Sequence, residues 1–371
     1  VTDTPFSAGA LSRFRKRPRA ERLTSWFEFW PGWLFYTPVV LQWIGLGIRY
    51  GNPVLATAAN PGIDAGGLCG ESKQSILDQI SGEARAWVAP YVVFTTGAFP
   101  ESNDLAIAEA AMADGDLAYP LVVKPDIGCN GTGVCLVADR AELGRYLSAF
   151  PRLRRVMLQT LIPHEGEAGI FYIRRPGEAV GRITSVTLKS SPVVVGDGRS
   201  TLEELVLAEP RCRLVPHLYL PRLAGRLHEV PSSGERVKLV FVGNHCKGST
   251  FRNGAHLVSP ELTSRIEGIA RSIPDFHFGR FDIRYESPAE LRAGDGFRII
   301  EVNGVGSEAT HIWDPDTTLP EAYAAQFMHY RAAFEIGAAN RARGFRPTPL
   351  FKLLGLWRQQ KRLMASYPAN D

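Results

Sequence analysis

The chain has 371 residues, 45% hydrophobic and 22% charged, and its 36 glycines follow no triplet period. This excludes a disordered or collagen-like protein and predicts two or three domains able to bury roughly 75% of their unfolded surface. The net charge of +4 hides two basic ends around a mildly acidic body: six basic groups against Glu21 over residues 13–22, and seven with no acid over residues 341–362. Cys69, Cys129, Cys135, Cys212 and Cys246 form no C-x-x-C pair and the eight histidines no H-x-x-x-H. Neither a disulfide framework nor a zinc site is indicated.

Residues 29–48 then run for twenty positions without a charged side chain, with Trp26, Trp30, Trp33 and Trp43 in or just before them. Three readings stand: a buried first helix, an interfacial membrane patch behind a basic arm, or a membrane span. Pro31, Pro38, Gly32, Gly45 and Gly47 weaken a continuous helix there. A cleaved signal peptide is not expected.

Further along, NPVLATAANPGI reads as a short strand and turn, and ESKQSILDQI as a helix opened by Glu71 and Ser72. WVAPYVVF reads as a strand interrupted at Pro90, LAIAEAAMA as a helix, YPLVVKP as a buried strand. After the loop Gly128–Gly133 come strand GVCLV, helix RAELGRYLSAF, and strands RVMLQTLI, IFYIRR, ITSVTLKS and RVKLVFVG. The GDG turn precedes a helix for which Ser200 and Glu203 supply a capping box. VSPELTSRIEGIARSI is a helix, and GRFDIRY and FRIIEVN are a strand pair. PLFKLLGLWRQQKRLMASY ends the pattern as a basic amphipathic helix, which either closes the core or makes a second membrane contact. The fold class is α+β, without regular βα alternation.

Chemistry enters at Lys124, which ends a strand and precedes Gly128, Gly131 and Gly133. Glycines let backbone N–H groups approach a phosphate and the lysine neutralises it, although no G-K-[ST] occurs and this is no P-loop. On FRIIEVN the strand period places Glu301 and Asn303 on one face, and on GRFDIRY it does the same for Arg280 and Asp282. Asp282, Glu301 and Asn303 offer hard oxygens without histidine or thiol, a set that favours Mg²⁺ held jointly with a nucleotide's phosphates. Mn²⁺ is the alternative ion.

Over residues 70–315 these motifs resemble the ATP-grasp superfamily. YPLVVKPDIGCNGTGV is similar to its lysine and flexible glycine loop, and Lys73 to its upstream lysine. LQTLI, with Gln159 and Leu161, resembles the adenine-contacting hinge, and Glu167 stands where a ribose-binding glutamate is expected. The resemblance to D-alanine–D-alanine ligases implies that Arg280 stabilises a tetrahedral intermediate and that Asp282, Glu301 and Asn303 hold the metal. A finer resemblance, to the ATP-grasp part of cyanophycin synthetase, places Lys189 where that group usually has an arginine.

The implied fold holds ATP between two α+β subdomains. The expected division is an aromatic N-terminal region over residues 1–68, a first subdomain over 69–158, a second over 159–335 and a basic helix over 336–371. The short aromatic region before Lys73 departs from the family pattern, and 371 residues leave no room for cyanophycin-type or peptidoglycan-type accessory domains. The implied activity is carboxylate–amine ligation through an acyl phosphate, with a thiol acceptor or a non-catalytic nucleotide-binding scaffold as alternatives. Substrate candidates are His245, Lys247, Ser249, Thr250, Arg252 and Asn253, then Ser307, Glu308 and His311. Cys129 and Cys246 read as packing residues. Expected partners are a small or lipid-linked carboxylate, an amine and an anionic membrane surface, with no nucleic acid. The expected location is the cytoplasm, including the inner membrane face.

Overall fold

Strands of alternating character and short capped helices build two lobes in a computed structural model that describes residues 22–98 and 103–368. The basic arm over residues 13–21 lies outside the described residues. In chain order come α1 (Gly32–Arg49), α2 (Lys73–Leu77), β1 (Tyr91–Thr95), α3 (Asp104–Asp114), β2 (Leu121–Pro125), β3 (Cys135–Val137), α4 (Arg140–Ala149) and β4 (Arg155–Thr160). Next are β5 (Gly166–Ile173), β6 (Arg182–Ser190), β7 (Val193–Val195), α5 (Leu202–Ala208), α6 (Pro210–Leu214), β8 (Arg236–Lys238) and β9 (Thr250–Asn253). The chain continues through α7 (Pro260–Ser272), β10 (Phe278–Tyr285), α8 (Pro288–Arg292), β11 (Phe297–Asn303), α9 (Leu319–Ala342) and α10 (Leu350–Met364).

The first lobe is an antiparallel sheet in the order β1-β4-β2-β3, with Leu121, Val123, Val156 and Leu158 buried against α3 and α4. The second is an antiparallel sheet in the order β11-β10-β5-β6-β9. One face of it carries Ala168, Ile170, Val186, Phe281 and Ile283 into the core formed with α7. The period of two therefore turns Glu167, Lys189, Arg280 and Asp282 to the other face, and a register shift at Ile300 brings Glu301 there beside Asp282. This α+β architecture of antiparallel sheets is the one expected.

Helix starts follow local chemistry: Ser72, Asn103, Asp139 and Ser259 each accept a backbone N–H two or three residues into the helix they open. Three expectations are corrected. The capping box of α5 is formed by Thr201 and Glu204, because the Ser200 hydroxyl donates to Asp197 instead. RVKLVFVG is a strand only over Arg236–Lys238, paired with β7. Beyond it, Gly243 comes so close to the Glu167 carboxylate that no Cβ fits, and the chain leaves the ribbon. Residues 52–63 are helical turns rather than a strand, with a 3₁₀ helix at Leu55–Ala58.

Residues 29–48 also differ from expectation, because α1 runs unbroken through Pro38. Phe35 stacks on Phe27 and Tyr323, and Gln42 donates to the Phe327 carbonyl, so packing on α9 offsets a proline cost of about 3 kcal/mol. Only one face is buried. Among the described residues, no helix is long and apolar enough to cross a membrane.

One buried side chain ties the N-terminal segment to the start of β10. Fully buried Asn60 accepts the N–H groups of His277 and Phe278 at 3.0 Å each and donates to the carbonyls of Phe278 (2.7 Å) and Gly66 (3.1 Å). Asn60→Ala leaves these buried groups unpaired at the start of β10. It should lower stability by about 3 kcal/mol, read as a shifted denaturant midpoint at constant slope.

Candidate active site

The charged face of the second sheet looks towards β2 and β4 of the first lobe. Buried Lys124 crosses between them, donating to Gln159 Oε1 at 2.8 Å and to the Ile300 carbonyl of β11 at 2.9 Å. Lys73, at the first turn of α2, donates to the Gly128 carbonyl at 2.8 Å and lies 3.4 Å from Glu301. The glycine loop between β2 and β3 hangs over this cleft, with Asn130, Gly131 and Gly133 at positive φ. Its turn therefore needs the glycines.

Across the sheet the charges form one chain. Asp282 receives Lys189 Nζ at 3.0 Å, two guanidinium nitrogens of Arg280 at 2.9 Å each, and Asn303 Nδ2 at 3.2 Å. Lys189 also meets Glu167 at 3.3 Å, and Glu167 meets Arg284 at 3.2 Å. Arg280 reaches the Glu308 carbonyl at 2.9 Å. Gly169 sits opposite Asp282, where a Cβ would lie 3.0 Å from Arg280 and 3.1 Å from Asp282. A side chain there would displace the pair.

Burial by itself would raise the Asp282 carboxyl, but the charges and hydrogen bonds of Arg280 and Lys189 hold it down at about 2. Lys124 moves the other way, to about 8, because burial disfavours its charge and Glu301 only partly restores it. Five cations thus face the carboxylates of Glu167, Asp282 and Glu301, with Glu71 near Lys73 and Glu301. Burial, aided by Glu301, raises the Glu71 carboxyl.

Asp282, Glu301 and Asn303 do share the expected face. They do not make an oxygen cage, since four donors already occupy Asp282 and one of them is Asn303. Among the described residues, no three His, Cys, Asp or Glu side chains are grouped to hold a metal ion. Glu301, paired only with Lys73 at 3.4 Å, is the one carboxylate of the set with oxygen sites still open.

Gln159 is buried beside Lys124, and Leu161 follows it half-buried. The remaining candidates scatter. His245 lies 3.2 Å from Glu28 and stacks on Trp313 at 4.7 Å, which ties the N-terminal segment down. Lys247 ends the short turn that His245 begins. Ser249 is buried and donates to the Val242 carbonyl, and Thr250 begins β9. Arg252 lies 3.6 Å from Asp314, which also accepts the Asn253 N–H at 2.6 Å. Ser307 donates to the Gly304 carbonyl at 2.5 Å. Glu308 accepts from Tyr36 and Trp313, and His311 keeps a buried Nδ1 without a hydrogen-bond partner. Cys129 contacts Met364 at 3.4 Å; the side chain of Cys246 lies outside the described residues.

Sequence reasoning missed several members of the site. Arg284 was legible as the next same-face position after Arg280 and Asp282. Ser185 and Thr187 bring buried hydroxyls without hydrogen-bond partners to the charged face, and Gln159 keeps a buried Nε2 in the same state. Their alternation on β6 was a usable signal. The C-terminal contacts beside the cleft carried none: Tyr367 donates to the Ile127 carbonyl at 2.7 Å before the glycine loop, and Gln360 accepts the Gly70 N–H at 3.1 Å.

No protein-family model and no curated protein sequence matches the chain. Among solved structures it is similar to a bifunctional glutathione synthetase from Pasteurella multocida, at 18% identity and a TM-score of 0.35, over 69% of this chain and 36% of that one. It is also similar to a D-Ala:D-Ser ligase from Enterococcus faecalis, at 15% identity and a TM-score of 0.41, over 73% and 62%. A D-alanine–D-alanine ligase from Bacillus anthracis matches at 14% identity and a TM-score of 0.41, over 75% and 70%. The chain thus spans less than two thirds of the first two structures.

Two predictions follow from the charges. Asp282→Asn strands Arg280 and Lys189 and should cost about 3–5 kcal/mol of stability, whereas Glu301→Gln, at the cleft's edge, should cost under about 1 kcal/mol. Chemical denaturation of both variants separates them. For Lys124, pH sets the charge: below about 8 it is cationic, and above that the folded protein sheds a proton the unfolded chain still holds. Stability contributed by this group therefore rises between about pH 8 and 10, while anion binding by the free protein weakens. Chemical denaturation from pH 7 to 10 should show that gain in stability, and Lys124→Arg, which keeps its charge, should flatten it.

Proposed function

We propose that this chain is an ATP-dependent carboxylate–amine ligase of the ATP-grasp type, with the nucleotide held between its two lobes. The observation that carries this reading is the excess of cations in the cleft. Lys73, Lys124 and Lys189 are all buried, with Arg280 and Arg284 beside them, and the facing carboxylates are fewer. Uncompensated charge away from water is costly, and a polyphosphate entering between the lobes offsets it. Lys73 and Lys124 would grip that polyphosphate from α2 and β2, while the glycine-loop amides cover it.

A carboxylate repels nucleophiles and its oxide leaves poorly. In the proposed first step its oxygen attacks the γ-phosphorus, the bond to the β-phosphate oxygen breaks, and ADP departs. The amine nitrogen then attacks the acyl carbon, the phosphate leaves with its bonding pair, and the amine loses a proton. Phosphoryl transfer needs alignment and neutralisation more than a nucleophilic side chain. Arg280, fixed by Asp282 and the Glu308 carbonyl, would face the oxyanion, where one donor typically contributes about 3–4 kcal/mol. Because the expected metal ligands form no cage, no step is assigned to a protein-bound ion; Mg²⁺ enters as the counter-ion of ATP.

The test is ADP release from MgATP with pooled carboxylates and amines. Release should require both pools and fall about a hundred- to a thousandfold in Arg280→Ala, with ATP affinity little changed. Release that needs a thiol in place of the amine would reassign the acceptor. ATP binding without release under any pool would overturn catalysis.

A further inference from the structure

Helix α1 buries Phe35, Val39 and Leu46 and leaves its other side in solvent. Trp33, Leu34, Val40, Leu41, Ile44 and Ile48 are exposed, Trp33 by 73% and Ile48 by 78%. Their spacing of three, four and seven residues aligns them as one stripe along the helix. An apolar stripe this long on a free surface marks a contact site.

The stretches that expose these apolar groups are free of acids. No Asp or Glu occurs between Glu28 and Asp64, or between Glu335 and Asp371. Helix α10 sets Lys352, Arg358, Lys361 and Arg362 beside Phe351, 88% exposed, and a half-exposed Trp357. Arg154, Arg358 and Arg362 line a cavity of about 420 Å³ with no acid at its wall. Six further basic groups stand between Arg13 and Arg22, upstream of α1.

We infer that the stripe of α1 and the basic apolar face of α10 dock the protein on an anionic lipid bilayer. The indoles and aliphatic side chains enter the headgroup and acyl boundary, the arginines meet lipid phosphates, and no helix spans. On α10 charge argues against a second copy as the occupant, because apposed α10 faces would bring cation against cation with no acid between them, while α1 adds only apolar contact. This inference is independent of the ligase reading.

The experiment is flotation of the full chain with phosphatidylcholine vesicles containing about one third phosphatidylglycerol, against phosphatidylcholine alone. The protein should float with the anionic vesicles only and be released by high salt. Leu41→Ser/Ile44→Ser/Ile48→Ser should bind at least about tenfold more weakly, and Lys352→Glu/Arg358→Glu/Arg362→Glu should lose the preference for anionic lipid. An unchanged circular dichroism spectrum and denaturant midpoint in both variants shows that they are folded. Absence of flotation, equal binding by wild type and variants, or a dimer that the serine variant dissociates would overturn the assignment.

Discussion

Asp282 is the constraint on which the second lobe depends. A carboxylate on a central strand survives burial only because Lys189 and both forks of Arg280 converge on it. Those partners lie on β6 and β10, so the ion chain ties strands together as well as charges. It also locks register. A slip of one residue on β10 would turn Arg280 and Asp282 into the core that holds Phe281 and Ile283, and those rings into the cleft. Gly169 extends the same constraint to β5, where the pair leaves no space for a side chain.

The link between lobes joins an apolar patch, where Met157 of β4 shares the buried core of the second sheet, to three polar contacts. Lys124 to the Ile300 carbonyl, Lys73 to Glu301, and the Ala89 N–H to the Ile299 carbonyl all end on β11. That strand is therefore both the edge of the second sheet and the floor of the cleft. Ligand groups bound above it would touch both lobes at once. The glycine loop on the opposite side is tied mainly through backbone atoms, by Lys73, Tyr146 and Tyr367. Its side chains are small enough to leave the cleft open to a bulky anion.

The N-terminal segment and the two last helices pack around this core. Asn60 and Asn340 pin residues 58–60 between β10 and α9, and Glu28 with Arg211 and His245 anchors the segment before α1. Helix α10 reaches the glycine loop through Met364 and Gly70 through Gln360, and Tyr367 just beyond the helix holds the Ile127 carbonyl. One side of this outer layer completes the cleft, and the other carries exposed apolar and cationic groups.

Local geometry was legible in the sequence. Period two set the faces of β10 and of Glu301 and Asn303 on β11, and Lys124 closed a strand before a glycine loop, because such features depend only on neighbours along the chain. The bulge at Ile300 that turns Glu301 away from the core holding Ile299 carried no such signal. Where the sequence misled, a distant partner had intervened. Residues 52–63 look like a strand yet serve contacts to Phe278 and Asn340, and α1 stays helical across Pro38 because α9 buries its inner face. Which charges meet was likewise decided by tertiary structure. Lys189 and Asp282 are 93 residues apart, and Lys124 and Ile300 176. Backbone period says which way each side chain points, but only strand order and lobe packing say what it points at.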